Sequence, residues 1–262
     1  MSGGGAGALS GHHALVTGGG TGIGAAIAAR LARAGAAGTI AGRPAAPPQA
    51  EGAKRAARRG AAGFVAPDVA DEASVRAGFA AASAARGGVT LLVNNAGLAQ
   101  AAPASRTSLQ LWQEALAVNA TGTFLSTREF LAQLPKAAIG RIVNVASTAG
   151  LKGYPYVSAY CAAKHAVVGY TRALALELAR RPVTVNAVCP GFTETAILEE
   201  SIANIVKTTG RSESEARAEL AKTNPQGRFV QPAEVAEAVH WLCLPEAASV
   251  TGTVVPVAGG EI

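Results

Sequence analysis

The sequence predicts an α/β fold: one doubly wound parallel sheet of about seven strands with helices on both faces. Two observations carry this. Short apolar runs alternate with longer amphipathic ones, the rhythm of strand–helix units that cross over and return parallel. The short runs are rich in Val, Ile and Leu without polar alternation, as strands buried on both sides require. A chain of 262 residues, 49% hydrophobic and 15% charged, suits one domain with a large core and excludes a disordered polypeptide.

The elements follow in chain order. Residues 1–11 are rich in Gly, Ala and Ser and lack the basic start and long apolar stretch of a secretory signal, so a flexible leader is expected there. A single domain then covers 12–262. Strands are expected at 14–17, 38–41, 63–66, 90–93, 141–145, 183–188 and 253–257. Helices are expected at 23–34, 71–86, 108–134, 157–180 and 232–243. On the first of these, Ile23, Ile27 and Leu31 share one stripe. Residues 43–50 hold three prolines and read as a loop. Residues 192–224 break the alternation just after the sixth strand. An insertion there stands beside the carboxyl ends of the strands, where such sheets bind ligands, and is expected to form a substrate lid.

Other function classes are disfavoured. No apolar run reaches the length of a membrane span. Cys161, Cys189 and Cys243 are widely spaced, with neither metal-ligand nor disulfide spacing, so no metal is expected and a reducing cytoplasm fits. The net charge is +6. Its densest cluster, Lys54, Arg55, Arg58 and Arg59, has no interleaved aromatics and reads as a solvated helix face rather than a nucleic-acid or membrane surface.

Two motifs carry chemistry. The first strand runs into Thr17-Gly18-Gly19-Gly20-Thr21-Gly22-Ile23-Gly24. Glycine lets a backbone approach a ligand closely, and the helix N-terminus that follows offers free N–H groups and a positive dipole end to a pyrophosphate. In a chain with 31 glycines such a cluster alone is weak evidence. Tyr160 and Lys164 stand at i and i+4, on one helix face. A nearby ammonium favours phenolate and lowers a tyrosine pKa from about 10, which suits general acid–base work at a carbonyl. Alone, this pair too is commonly plain surface.

The two are not alone. Thr17–Gly24, Asn94-Asn95-Ala96-Gly97, Asn119, Ser147, Tyr160 with Lys164, and Pro190-Gly191 occur in this order at strand and helix ends. Together they resemble the short-chain dehydrogenase/reductase family over about residues 12–260, which implies a Rossmann-type fold and an NAD(P)(H)-dependent oxidoreductase interconverting a ketone and a secondary alcohol. The resemblance implies a catalytic tetrad. Tyr160 is the acid/base, Ser147 stabilises charge on the substrate oxygen, Lys164 binds the nicotinamide ribose, and Asn119 holds a water that relays protons to Lys164. Cofactor contacts would come from Gly18, Thr21, Gly22, Ile23 and Gly24, from Asp68 and Val69 at the adenine, and from Asn95, Ala96 and Gly97. Pro190, Gly191, Thr193 and Thr195 would cradle the carboxamide.

After the second strand, Gly42 stands where NAD(H)-preferring members carry an acid, and Arg43 where NADP(H)-preferring members carry a base. A guanidinium suits a 2′-phosphate, so NADP(H) is favoured, with NAD(H) the alternative. The substrate wall is expected from Leu98, Thr148, Tyr154, Tyr156, Phe192, Ile197 and Leu198, a largely apolar set. Lys152 is the one candidate there for a free carboxylate. The sequence looks closest to reductases of 3-oxoacyl thioesters carried on CoA or a carrier protein, including polyketide ketoreductases. The alternatives are an NAD+-dependent dehydrogenase of 3-hydroxyacyl-CoA or another secondary alcohol, and a catalytically silent dinucleotide sensor on the same fold. A homotetramer or homodimer is implied, with the helices at 108–134 and 157–180 pairing across a two-fold axis.

Overall fold

The computed structural model describes residues 7–42, 62–65 and 68–262. Arg43 and the basic cluster at 54–59 lie outside the described residues.

Seven strands make one sheet in the order β3-β2-β1-β4-β5-β6-β7: β1 (His13–Thr17), β2 (Ala37–Ala41), β3 (Ala62–Val65), β4 (Leu91–Asn94), β5 (Gly140–Val145), β6 (Val183–Pro190) and β7 (Val254–Val257). All neighbours are parallel; Val16, for example, pairs with Ile40 on one side and Val93 on the other. The described helices are α1 (Gly22–Arg33), α2 (Glu72–Arg86), α3 (Leu109–Leu116), α4 (Gly122–Gln133), α5 (Ser158–Glu177), α6 (Ala196–Thr209), α7 (Glu213–Ala221) and α8 (Pro232–Cys243).

Burial on both faces explains the unbroken apolar strands. Leu15 and Val16, successive residues of β1, point to opposite sides, and each is 1% exposed. Val16, Val93 and Val143 meet Ile27 and Leu31 of α1 and Val235 and Val239 of α8 on one face. Leu15, Leu92 and Ile142 meet Phe79 of α2, Phe130 of α4 and Leu174 of α5 on the other. The strand order reverses beside β1, between β2 and β4. The crossovers leave the sheet on opposite sides there and open a crevice at the carboxyl ends of the strands. No described helix is long and apolar enough to cross a membrane.

Two features differ from expectation. Leu9, which the sequence places in a flexible leader, is fully buried, and its N–H donates to Ala34 O at 2.8 Å; the core takes in the chain before β1. The long helix expected at 108–134 is interrupted by a π-helical turn, Ala117–Thr121. Asn119 is the cause. Its Nδ2 donates to Ala115 O at 2.9 Å, four residues back, and to Leu98 O at 3.0 Å. A side chain that takes an i−4 carbonyl competes with the ladder and widens the turn.

Candidate active site

The crevice is built from the glycine turn upward. Gly18 and Gly22 have positive φ, 63° and 50°, the left-handed region that favours glycine. Gly24 is glycine for space: a Cβ there would fall 2.3 Å from Gly18 O and 2.4 Å from Asn95 Nδ2. Asn95 ties this turn to β4. Its Nδ2 donates to Thr17 O at 3.0 Å and Gly18 O at 3.1 Å, while Thr17 Oγ1 accepts from the N–H groups of Asn95 and Ala96 at 3.0 and 3.1 Å. No side chain caps α1, and no acid stands in its first turn. A pinned, glycine-walled turn below an uncapped helix N-terminus fits a dinucleotide pyrophosphate. Asp68 bends its own loop, Oδ1 accepting from Ala70 N–H at 3.0 Å, and stays exposed, while Val69 is buried, its side chain lying against Gly122.

Next come the residues that would carry chemistry. Asn119 is fully buried, and Leu98 N–H donates to its Oδ1 at 3.3 Å. Gly97 leaves room for this: a Cβ there would lie 2.8 Å from Asn119 Oδ1 and 3.6 Å from Lys164 Nζ. Asn119 and Lys164 therefore face one point on the chain. Lys164 is 4% exposed and donates from Nζ to Val145 O at 2.9 Å. Its Nζ stands 5.6 Å from the centroid of the Tyr160 ring, one helical turn away on α5. Burial pulls the Lys164 ammonium down to about 8. Ser147 follows β5, with its Oγ accepting from Ala149 N–H at 3.0 Å.

Tyr160 corrects one expectation. A lowered phenol pKa follows from the lysine alone, but burial dominates and pushes the phenol up to about 12, with the Ser147 hydroxyl pulling it back by stabilising phenolate. The protonated phenol is thus the resting form at neutral pH. Asn94 bridges the sheet to the helices: its Nδ2 donates to Asn144 Oδ1 and Thr127 Oγ1, both at 2.9 Å.

The segment after β6 roofs the crevice. Thr193 Oγ1 donates to Gly191 O at 2.9 Å, and Thr195 Oγ1 to Thr193 O at 3.2 Å. Both hydroxyls shape the loop. The Thr195 methyl lies 3.2 Å from where a Cβ on Gly22 would stand, so the roof meets the glycine turn. Arg217 of α7 pairs with Glu194, Glu199 and Glu213, clasping α6 and α7 to the loop.

The expected substrate wall comes together only in part. Tyr154 and Phe192 meet edge to face at 6.2 Å, and Thr148 Oγ1 is 2.7 Å from the Tyr154 hydroxyl. Leu98 is brought to Asn119. Leu198, however, turns into the core of the lid with Ile202, Ala216 and Phe229, because that is the apolar face its own helix buries. Tyr156 is 67% exposed and Ile197 46%, so neither is enclosed. Lys152 does not stand free: its Nζ pairs with Glu261 at 3.1 Å. Glu261 escaped the sequence reading, since nothing in the spacing of Gly259-Gly260-Glu261 marks it. Among the described residues no group of three or more His, Cys, Asp or Glu side chains could hold a metal.

The family model for short chain dehydrogenase matches residues 12–205. A granaticin polyketide synthase putative ketoacyl reductase of Streptomyces violaceoruber is 42% identical over 191 residues, 72% of this chain and 70% of that protein. A D-beta-hydroxybutyrate dehydrogenase of Rhizobium meliloti is 37% identical over 175 residues, 66% of this chain and 68% of that protein. Among solved structures, a tryptophan variant of actinorhodin polyketide ketoreductase with NADPH superposes with a TM-score of 0.89 at 37% identity, covering 95% of this chain and 97% of that one.

Proposed function

The chain belongs to the short-chain dehydrogenase family, and from that membership and the geometry around Tyr160 we propose that it reduces a ketone to a secondary alcohol with NADPH, the ketone being a 3-oxoacyl thioester or a close analogue. The observation that carries this is the Tyr160 phenol with the buried Lys164 ammonium 5.6 Å from its ring centroid and the Ser147 hydroxyl as its hydrogen-bond partner. NADPH, held in the crevice by the glycine turn and the N-terminus of α1, would supply the hydride. Tyr160 gives its proton to the carbonyl oxygen as negative charge develops there. Ser147 donates to the same oxygen. Lys164 holds positive charge beneath the phenol, so that the phenolate left behind is not stranded. Asn119, locked by Leu98 and Ala115, keeps the π-turn open beside Lys164, where a water would return the proton. Reversed, the same groups oxidise the alcohol.

The test is the rate of NADPH and NADH oxidation, side by side, with acetoacetyl-CoA as substrate. Faster turnover with NADPH, by at least about tenfold, is expected. Turnover with NADH alone would contradict the cofactor assignment and favour a catabolic alcohol dehydrogenase. Turnover of simple ketones but not of the thioester would keep the Tyr160 chemistry and remove the thioester.

We place the protein in the cytoplasm as a homodimer or homotetramer. Buried free thiols suit a reducing compartment. Leu109, Trp112, Phe124 and Leu176 are exposed on α3, α4 and α5, large apolar side chains of the kind that subunits cover. Light scattering is expected to give at least twice the 26.1 kDa of one chain; a monomer at working concentration would contradict the assembly.

A further inference from the structure

After β7 the chain bends back beneath the lid. Gly259 and Gly260 have φ of 61° and 93°, a path that side chains resist. A Cβ on Gly259 would fall 1.9 Å from Asn224 Oδ1, so the bend is nested against the last residues of the insertion. Its result is to bury the Glu261 carboxylate, whose side chain is 1% exposed. Oε1 accepts from the Tyr154 hydroxyl at 2.5 Å and from Lys152 Nζ at 3.1 Å. Oε2 is buried without a hydrogen-bond partner among the described residues, and a Cβ on Gly191 would lie 3.1 Å from it.

This carboxylate therefore sits between two parts of the crevice, the expected substrate wall and the expected cofactor cradle. One is Tyr154, whose hydroxyl is 2.7 Å from Thr148 Oγ1, next in sequence to Ser147. The other is Gly191, where the carboxamide cradle begins. Packing does not require a charge here, since glutamine would fill the same volume. A buried carboxylate is costly unless paired, and among the described residues Lys152 is the cation that pairs with it.

We propose that Glu261 is a specificity-determining residue. Its carboxylate occupies Lys152, the cation that would otherwise hold a substrate carboxylate, and repels an acid brought beside Tyr154. The site thus takes ketones whose neighbouring acyl group is neutral, an ester or thioester, in preference to the free 3-oxo acid. This rests on the reading of the crevice as a ketone-reduction site. An acid entering there would set two carboxylates against one ammonium. In Glu261→Gln the ammonium is released to pair with the acid.

The experiment compares acetoacetate with ethyl acetoacetate, which share the reacting ketone and differ in charge. The wild type is expected to favour the ester. In Glu261→Gln the ratio of kcat/KM for acetoacetate to that for the ester is expected to rise about tenfold, or about 1.4 kcal/mol, the size of one partly screened charge pair. Adding Lys152→Met to this variant is expected to cancel the gain, and Lys152→Met alone to lower the ratio below wild type. A purely structural role for Glu261 would depress both substrates and leave the ratio where it was. An unmoved ratio in Glu261→Gln, or a wild type that favours acetoacetate, overturns the proposal while the ketone reading stands. A wild type that turns over neither substrate overturns the ketone reading, and this proposal with it.

Discussion

Tyr160→Phe is expected to lower kcat/KM for ketone reduction about a thousandfold, within the range a positioned general acid contributes, and to leave NADPH binding within about threefold. The phenylalanine keeps the ring and its place above Lys164 and removes only the hydroxyl. Ser147 remains to donate to the carbonyl oxygen, so activity falls without vanishing. The wild-type pH profile carries the same assignment. Reduction needs the phenol protonated and the ammonium beneath it charged. With the phenol pushed up to about 12 and Lys164 pulled down to about 8, the lysine is the first of the two to lose its proton as pH rises. Reduction is therefore expected to hold from neutrality to about pH 8 and to decline above it, with the decline belonging to the pair rather than to either group. Steady-state kinetics with a fluorescence titration of NADPH separates the two effects. A variant that retains more than about a tenth of wild-type kcat/KM would remove Tyr160 from the chemistry.

Gly24→Ala is expected to be the most damaging single methyl group in the crevice. The added Cβ would stand 2.3 Å from Gly18 O and 2.4 Å from Asn95 Nδ2. Neither neighbour is the free end of a flexible side chain. Gly18 O belongs to the pinned turn, and Asn95 Nδ2 is held by the carbonyls of Thr17 and Gly18. Relief requires α1 to move off β1 or the Asn95 tie to break. A loss of about 3 kcal/mol in stability is expected, at the upper end for overpacking, with at least a tenfold loss of NADPH affinity. Gly88→Ala is the control, because nothing lies within 4 Å of a Cβ there. Thermal melts with and without NADPH read both quantities. Equal melting temperatures for the two variants would contradict the close packing argued for the turn.

Much of this was legible because it rests on local pattern. Buried parallel strands are continuous apolar runs, and all seven appear within about two residues of where the runs predict them. What could not be read depended on partners distant in sequence. Asn119 looks like any polar residue on a helix until Leu98 and Ala115 take its side chain and open the π-turn. Leu198 shows its apolar period but not which of two surfaces it buries against, and the lid has a core of its own. Tyr160 has a cation in plain sight four residues on, while the burial that overrides it comes from the whole fold. Glu261 gives no signal at all: Tyr154 is 107 residues away along the chain, and only the left-handed bend at Gly259 and Gly260 brings the two together. Arg43, on which the sequence argument for NADP(H) turns, lies outside the described residues, so the preference for NADPH rests on the likeness to a ketoreductase solved with NADPH.

The central claim is hydride transfer to a ketone with a proton from Tyr160. Its most direct test is a single turnover with NADPH deuterated at the transferring position of the nicotinamide ring, read by mass spectrometry of the product. The expected result is one deuterium on the new carbinol carbon for the wild type and none in the same time for Tyr160→Phe. NADPH that binds but stays unoxidised with acetoacetyl-CoA and with simple ketones would contradict the account and leave a dinucleotide-binding protein without this chemistry.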